Sequence, residues 1–227
     1  MTSVDVLCLP AAEELCADAP LLLTRAQLER AARFHHDSDR RMYVAARVVA
    51  CRVVAHGLGV PWWRVRAVQC CPDCGGAHGR PSMWVDGHPA PIGVSWSHAD
   101  DHIAVAWSRD GAALGVDVER RDAVTALDVG AFSPEERAAI EGGVDAAMLW
   151  TAKEAAVKAW GTGFAHDPAE YLVSSDRHAS RTGGVRHGRR TALWRSVTVS
   201  DGVHVVTVAT VDDVVPTVTA HFEMTPS

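Results

Sequence analysis

The chain has 227 residues, 48% of them hydrophobic and 22% charged, with a formal net charge of −6. That composition excludes a disordered chain, allows one large core or two smaller ones, and speaks against nucleic-acid binding, which needs a basic surface. No stretch approaches the roughly 20 apolar residues of a membrane span, and the Met-Thr-Ser-Val-Asp start has neither a basic nor a secretory apolar run, so a cytoplasmic protein with no membrane partner is expected.

In chain order, Thr24 can cap a helix over residues 25–34 and Asp39 a second over 40–56. Arg41, Arg47 and Arg52 interrupt the apolar rows of that second helix, and Gly57-Leu-Gly-Val-Pro61 ends it. A loop follows, carrying Cys70-Cys71-Pro-Asp-Cys74, His78 and Gly79-Arg80-Pro81. Cys71-x-x-Cys74 with His78 and the adjacent Cys70 has the local spacing of a zinc half-site, yet no second pair is evident. A reduced loop that places Arg80 is the alternative, and the six cysteines together read as thiols, not as a disulfide framework. Residues 92–97 and 102–107 read as paired strands, and 114–119 as another.

Ser133-Pro-Glu-Glu136 is a helix start stopped by Gly142-Gly143, and a longer helix spans 146–160 and ends at Gly161. Residues 174–192 lack apolar periodicity and read as a mobile loop. The tail is strand-rich: 193–199 and 203–211 flank the turn Ser200-Asp201-Gly202, and 218–222 is expected to pair beside them. The organisation is therefore α+β in two halves, residues 1–110 and 111–227. The first holds 11 basic and 12 acidic side chains, the second 11 and 16. A highly charged nucleotide is expected to meet the arginines of the first half.

Two segments carry chemistry. Of 22 basic residues only two are lysines, Lys153 and Lys158, both in Trp150-Thr-Ala-Lys-Glu154-Ala-Ala-Val-Lys-Ala-Trp-Gly161. Where arginine is otherwise universal, retained lysines point to a need for a compact ammonium. On a helix, Glu154 and Lys158 share a face, while Lys153 points about 100° away and reads as structural or a weak phosphate contact. In Gly115-Val-Asp117-Val-Glu119, a strand puts both acids on one face and the valines into a core. Three carboxylates and an ammonium suit a magnesium-bound pyrophosphate, because Mg²⁺ takes oxygen ligands and shares substrate phosphates. The plainer reading is a solvated strand face beside a surface i,i+4 ion pair worth roughly 0.2–0.5 kcal/mol.

Taken in order, Ser97-His98, Gly-Val-Asp-Val-Glu and Trp-Thr-Ala-Lys-Glu-Ala-Ala-Val-Lys-Ala-Trp-Gly resemble the 4′-phosphopantetheinyl transferase superfamily, in its long type that activates polyketide and nonribosomal peptide synthetases. The resemblance runs over roughly residues 34–163. It implies two similar pseudo-twofold-related lobes, each of antiparallel strands packed with helices, with coenzyme A in the cleft between them. It implies a monomer that transfers phosphopantetheine from coenzyme A to a serine of an apo acyl or peptidyl carrier protein. Asp117, Glu119 and Glu154 would hold Mg²⁺, Glu154 could also be the base, and Lys158 would reach the pyrophosphate. His98 and Ser97 would meet the nucleotide phosphates, Arg80 of Gly79-Arg80-Pro81 another phosphate, and Arg41 and Arg47 the 3′-phosphate. Ala99 stands where relatives commonly carry a small hydroxyl. A non-catalytic coenzyme A or carrier-protein binding module, and a metal-dependent phosphohydrolase, are the alternatives.

Overall fold

In the computed structural model, the described residues are 2–70, 75–76, 79–125, 129–175 and 181–224. They form an α+β structure with three sheets of mostly antiparallel strands packed with helices. Strand β1 (Ser3–Pro10) leads into the short helices α1 (Ala19–Leu22) and α2 (Arg25–Ala31) and then the long α3 (Asp37–Leu58). A small sheet follows, of β2 (Val65–Gln69), β3 (Pro81–Val85) and β4 (His88–Pro89), and then the hairpin β5 (Gly93–Ala99) and β6 (His102–Ser108). Next come β7 (Leu114–Arg120), α4 (Arg121–Thr125), α5 (Pro134–Glu141) and α6 (Ala146–Trp160), then β8 (Leu172–Ser175), β9 (Thr182–His187), β10 (Arg190–Thr198), β11 (His204–Thr210) and β12 (Thr217–His221). Among the described residues no helix is long and apolar enough to cross a membrane.

Local chemistry accounts for the helix boundaries. Thr24 and Ser133 each form a reciprocal capping box, with Gln27 and Glu136 respectively. α3 starts three residues earlier than an Asp39 cap would give, with His36 at the cap and Asp37 and Asp39 both in the first turn, where acids complement the helix dipole. Its last turn closes on Gly59 in the left-handed conformation, and α6 closes the same way on Gly161.

The sheets run β12-β1-β6-β5 and β7-β11-β10-β9-β8, with β2-β3-β4 apart. Two sequence expectations are corrected here. The stretch 174–192 is not a loop in its described part: β9 pairs with both β8 and β10. Its glycines carry no apolar signal but are needed, since a Cβ on Gly183 would lie 1.8 Å from the Ser174 carbonyl oxygen. The final strand does not join β10 and β11 either. It runs parallel to β1, Ser3 opposite Thr217, at the edge of the other sheet. Cys71, Cys74 and His78 lie outside the described residues, whereas Cys8, Cys16 and Cys51 are free thiols.

Three apolar clusters hold this together. One packs α3 against β1, β5 and β6, and another packs α6 beneath β9, β10 and β11. The third, built on Val4, Val6, Ala104, Val116, Val118, Val206 and Val208, lies between the two larger sheets. β7 is thus covered on both faces.

Lys153 anchors the face of α6 turned from the sheets. It is 0% exposed, and its three ammonium protons meet three acceptors: Glu136 Oε2 at 2.6 Å, the Ala131 carbonyl at 3.0 Å and the Pro168 carbonyl at 2.9 Å. Burial lowers its pKa, against the pull of Glu136. Glu136 is equally committed, accepting also from the amides of Ser133 and Val173. This ammonium is structural, and a planar guanidinium does not reproduce three acceptors converging on one atom. Lys153→Met is expected to cost about 3–5 kcal/mol by leaving Glu136 buried and unpaired, and Lys153→Arg also to destabilise. Urea unfolding measures both, and a parent-like midpoint for Lys153→Met would refute this role.

Candidate active site

The site begins with how closely α6 lies on β7. A Cβ on Gly115 would stand 2.0 Å from the Ala155 carbonyl oxygen, 2.6 Å from the Ala159 nitrogen and 2.8 Å from Lys158 Cβ. Only glycine admits this approach, and on the helix side Ala152, Ala155, Ala156 and Ala159 keep the contact shallow. Asp145 caps α6 by accepting from the Ala147 amide, and Thr151 fastens its middle to Thr207 of β11 at 2.7 Å. The helix is therefore fixed in rotation, with Glu154 and Lys158 turned toward β7.

β5 lies alongside β7 from the other sheet, and serine hydroxyls join them. Ser95 Oγ accepts from the Val116 amide at 3.1 Å, and Ser97 Oγ donates to Asp117 Oδ1 at 2.7 Å. Lys158 Nζ donates to the same Asp117 oxygen at 2.6 Å and to Ser97 Oγ at 2.9 Å, with Glu154 Oε2 at 4.0 Å. Asp117, which the plainer reading put on a solvated strand face, is only 2% exposed. Its second oxygen, Oδ2, is buried without a hydrogen-bond partner among the described residues. A buried carboxylate oxygen left in this state is costly unless something binds it.

Glu119 and Glu154 interact electrostatically with Asp117. Burial, then the Asp117 charge, pushes Glu119 up to about 7, with Lys158 opposing and Glu154 adding. Glu154 is pushed up to about 7 by burial and by Asp117, against Lys158. Burial disfavours the Lys158 ammonium, but Asp117 and Glu154 prevail and raise its pKa. Three crowded acids around one lysine form an oxygen-rich, net negative group suited to a hard cation, with Asp117 Oδ2 as its unmet ligand. Their oxygens do not all lie within 4.8 Å of one another, so a shared ion would have to draw them in.

The remaining expected contacts surround this group unequally. His98 follows Ser97 on β5 and, with Ala99, Glu119, Arg120 and Asp122, lines a cavity of about 390 Å³ beside the acids. Desolvation, then Lys158 and Arg47, hold its pKa below the ordinary imidazole value. Arg80 is exposed and runs past the end of α6, its Cδ 3.7 Å from where a Gly161 Cβ would be, and Pro81 opens β3 next to it. Arg41 is half-buried in the early turns of α3.

Arg47 differs from these. It is 5% exposed, donates to the Tyr43 carbonyl and to Gln69 Oε1 at 2.8 Å each, and lies 3.5 Å over the Tyr43 ring. Gln69 in turn donates to the Gly79 carbonyl at 2.9 Å. The arginine thus reaches the Gly79-Arg80-Pro81 segment through Gln69. Sequence reasoning missed Gln69, Tyr43 and Ser95, because a lone glutamine, tyrosine or strand serine carries no motif.

Residues 113–209, under half of the chain, match the family model described as the 4′-phosphopantetheinyl transferase superfamily. The matched segment opens just ahead of the strand bearing Asp117 and includes all of α6. That segment is similar to the superfamily, and the match does not resolve a subtype. The likeness suggests phosphopantetheinyl transfer to carrier proteins as a class of reaction. No curated protein matches the chain.

The raised carboxyl pKa values have a measurable consequence. Glu119 and Glu154 keep their protons to about pH 7 when folded but release them near 4.5 when unfolded, so between these values the folded chain binds more protons. On their account the chelator-treated protein loses stability as pH rises through that window. Thermal melts in chelator are expected to fall from pH 5 to pH 8. Glu154→Gln should shrink that fall and melt above the parent at pH 8; superimposable profiles would mean that Glu154 is not desolvated.

Proposed function

We propose that this protein is a Mg²⁺-dependent 4′-phosphopantetheinyl transferase of the long type, using coenzyme A to modify a serine of an apo acyl or peptidyl carrier protein in polyketide or nonribosomal peptide synthesis. The observation that carries this reading is the buried, unpartnered Asp117 Oδ2, in a carboxylate that pairs with Lys158 and interacts with Glu119 and Glu154 at the contact of α6 with β7. A surface ion pair, or a binding module with no chemistry to perform, has no need of an uncompensated buried oxygen.

Asp117, Glu119 and Glu154 would hold the ion. Bound there, Mg²⁺ would offset charge on the pyrophosphate oxygens. Lys158, fixed by Ser97 and Asp117, keeps an ammonium at the phosphoryl group in transfer. Glu154, partly exposed beside Lys158, takes the proton from the serine hydroxyl. The serine oxygen then bonds to the phosphorus, the pyrophosphate P–O bond breaks, and 3′,5′-ADP leaves. His98 and Arg80, at the cavity and beside the end of α6, receive the nucleotide phosphates, and Arg41 is a further candidate. Ser97 acts through Lys158 and Asp117, and Arg47 through Gln69 and the Arg80 segment, which makes both positioning residues in this reading. The lobes are taken as pseudo-twofold partners in a monomer.

With coenzyme A and Mg²⁺ the purified protein is expected to add one phosphopantetheine mass to an apo carrier domain, to stop in excess chelator and to recover with Mg²⁺. Release of 3′,5′-ADP from coenzyme A without carrier would instead identify a hydrolase. Asp117→Ala and Glu154→Ala should each lose at least about a hundredfold in rate, ~2.7 kcal/mol of barrier. Near-parental turnover in both would remove the acids from the mechanism.

Lys158→Arg should fail almost as badly as Lys158→Ala, because a forked guanidinium does not fit between Ser97 and Asp117 at the close contact of helix and strand. Steady-state rates on one carrier domain decide this, and full activity of the arginine variant would overturn it.

A further inference from the structure

A second group of metal-ligating side chains lies apart from the three acids, where the starts of β6 and β11 meet. His102 opens β6 opposite Ala99, and His204 opens β11 opposite Arg120. Their rings lie 4.1 Å apart between centroids, tilted by 32°. Asp101 precedes His102 in the hairpin turn, with its Oδ1 2.6 Å from His102 Nδ1. Asp201 closes the group from the β10–β11 turn, its Oδ2 2.6 Å from His204 Nδ1 and 3.6 Å from His102 Nε2. The other Asp201 oxygen accepts from the amides of Val203 and His204. Burial opposes the charge on Asp201, but the His204 amide and ring and the Val203 amide outweigh it and hold the carboxyl at about 2.

His204 is the informative member. It is 4% exposed, and because Nδ1 donates to Asp201, Nε2 is left with a lone pair. That Nε2 is buried without a hydrogen-bond partner among the described residues. A carboxylate on the far nitrogen of an imidazole, fixing the tautomer so that the near nitrogen presents its lone pair, is the usual support of a metal-bound histidine. Asp101, His102 and His204 each offer a ligand atom, all within 4.8 Å of one another. Ligands around a tetrahedral ion with bonds of about 2.0–2.1 Å are roughly 3.3 Å apart, so closure needs side-chain movements of about an ångström.

We propose that Asp101, His102 and His204 form a binding site for a Zn²⁺-class ion, supported by Asp201 from outside and separate from the group around Asp117. Two imidazoles and one carboxylate suit zinc better than magnesium, which prefers oxygen alone. Three protein ligands leave a fourth position for water. The ion ties the β5–β6 turn to β11 and so steadies the hairpin end that bears His98. The site stands whether or not the transfer reaction does.

The test is zinc retention after dialysis, counted by elemental mass spectrometry, together with calorimetric titration by Zn²⁺. The parent is expected to hold an ion that Asp101→Ala and His102→Gln bind at least about tenfold more weakly, the scale of effect seen when even supporting groups of metal sites are removed. Asp101 is exposed, so its variant is expected to fold normally, which circular dichroism checks. Glu154→Gln controls for the acids, and His187→Ala for the cluster of His166, Glu170 and His187 at the other end of β10, the other described group with ligand atoms this close. Both should match the parent. No retained ion, unchanged affinity in the folded Asp101 and His102 variants, or loss confined to the His187 variant would each overturn the site.

Discussion

The close contact between β7 and α6 at Gly115 is the constraint on which the candidate site depends. One side of β7 is packed in the apolar layer between the two large sheets, and the other meets a helix surface of alanines. With a Cβ at 115 the helix would have to move away from the strand by an ångström or more, and Lys158, whose own Cβ is among the clashing atoms, would move with it. A hydrogen bond of 2.6 Å between Lys158 and Asp117 does not survive such a shift. One glycine therefore links the packing of the core to the electrostatics of the acids.

Burial at this contact gives the acids their character. Strand periodicity puts Asp117 and Glu119 on the same face, but the helix covering that face makes their charges expensive. Desolvation comes first among the causes that raise the Glu119 and Glu154 pKa values, and mutual repulsion follows. One ammonium, shared among Asp117, Glu154 and Ser97, leaves Asp117 Oδ2 unmet. The two lysines are thus retained for different purposes. Lys153 is a point charge saturated by a buried carboxylate and two carbonyls, and Lys158 is a point charge held between Ser97 and Asp117 with Glu154 nearby. In both, one nitrogen meets several acceptors, which arginine does not reproduce.

Outside that contact, the polar groups of the first half serve as connectors. Ser95 and Ser97 join strands from different sheets, and Arg47, stacked on Tyr43, reaches through Gln69 to Gly79. The arginine that sequence reasoning offered to a phosphate is thereby occupied inside the protein, while Arg80, which it helps to locate, is exposed.

The sequence by itself determined what local physics controls. A period of two over 114–119, an apolar and small-residue pattern over 146–160, capping boxes at Thr24 and Ser133 and left-handed glycines at 59 and 161 specify elements within a few residues, because each depends on neighbours in the chain. The same short range made the Asp-x-Glu and Glu-x-x-x-Lys pairs recognisable. Tertiary structure alone decided what depends on partners far along the chain. β12 pairs with β1 more than two hundred residues away, and β9 exists because β8 and β10 accept a glycine-rich strand between them. Arg47 turns inward because Gln69 waits there, and Asp117 is buried because Gly115 lets a helix close over it. Pairing, burial and an unmet hydrogen bond are properties of two surfaces brought together, and no window of sequence contains both.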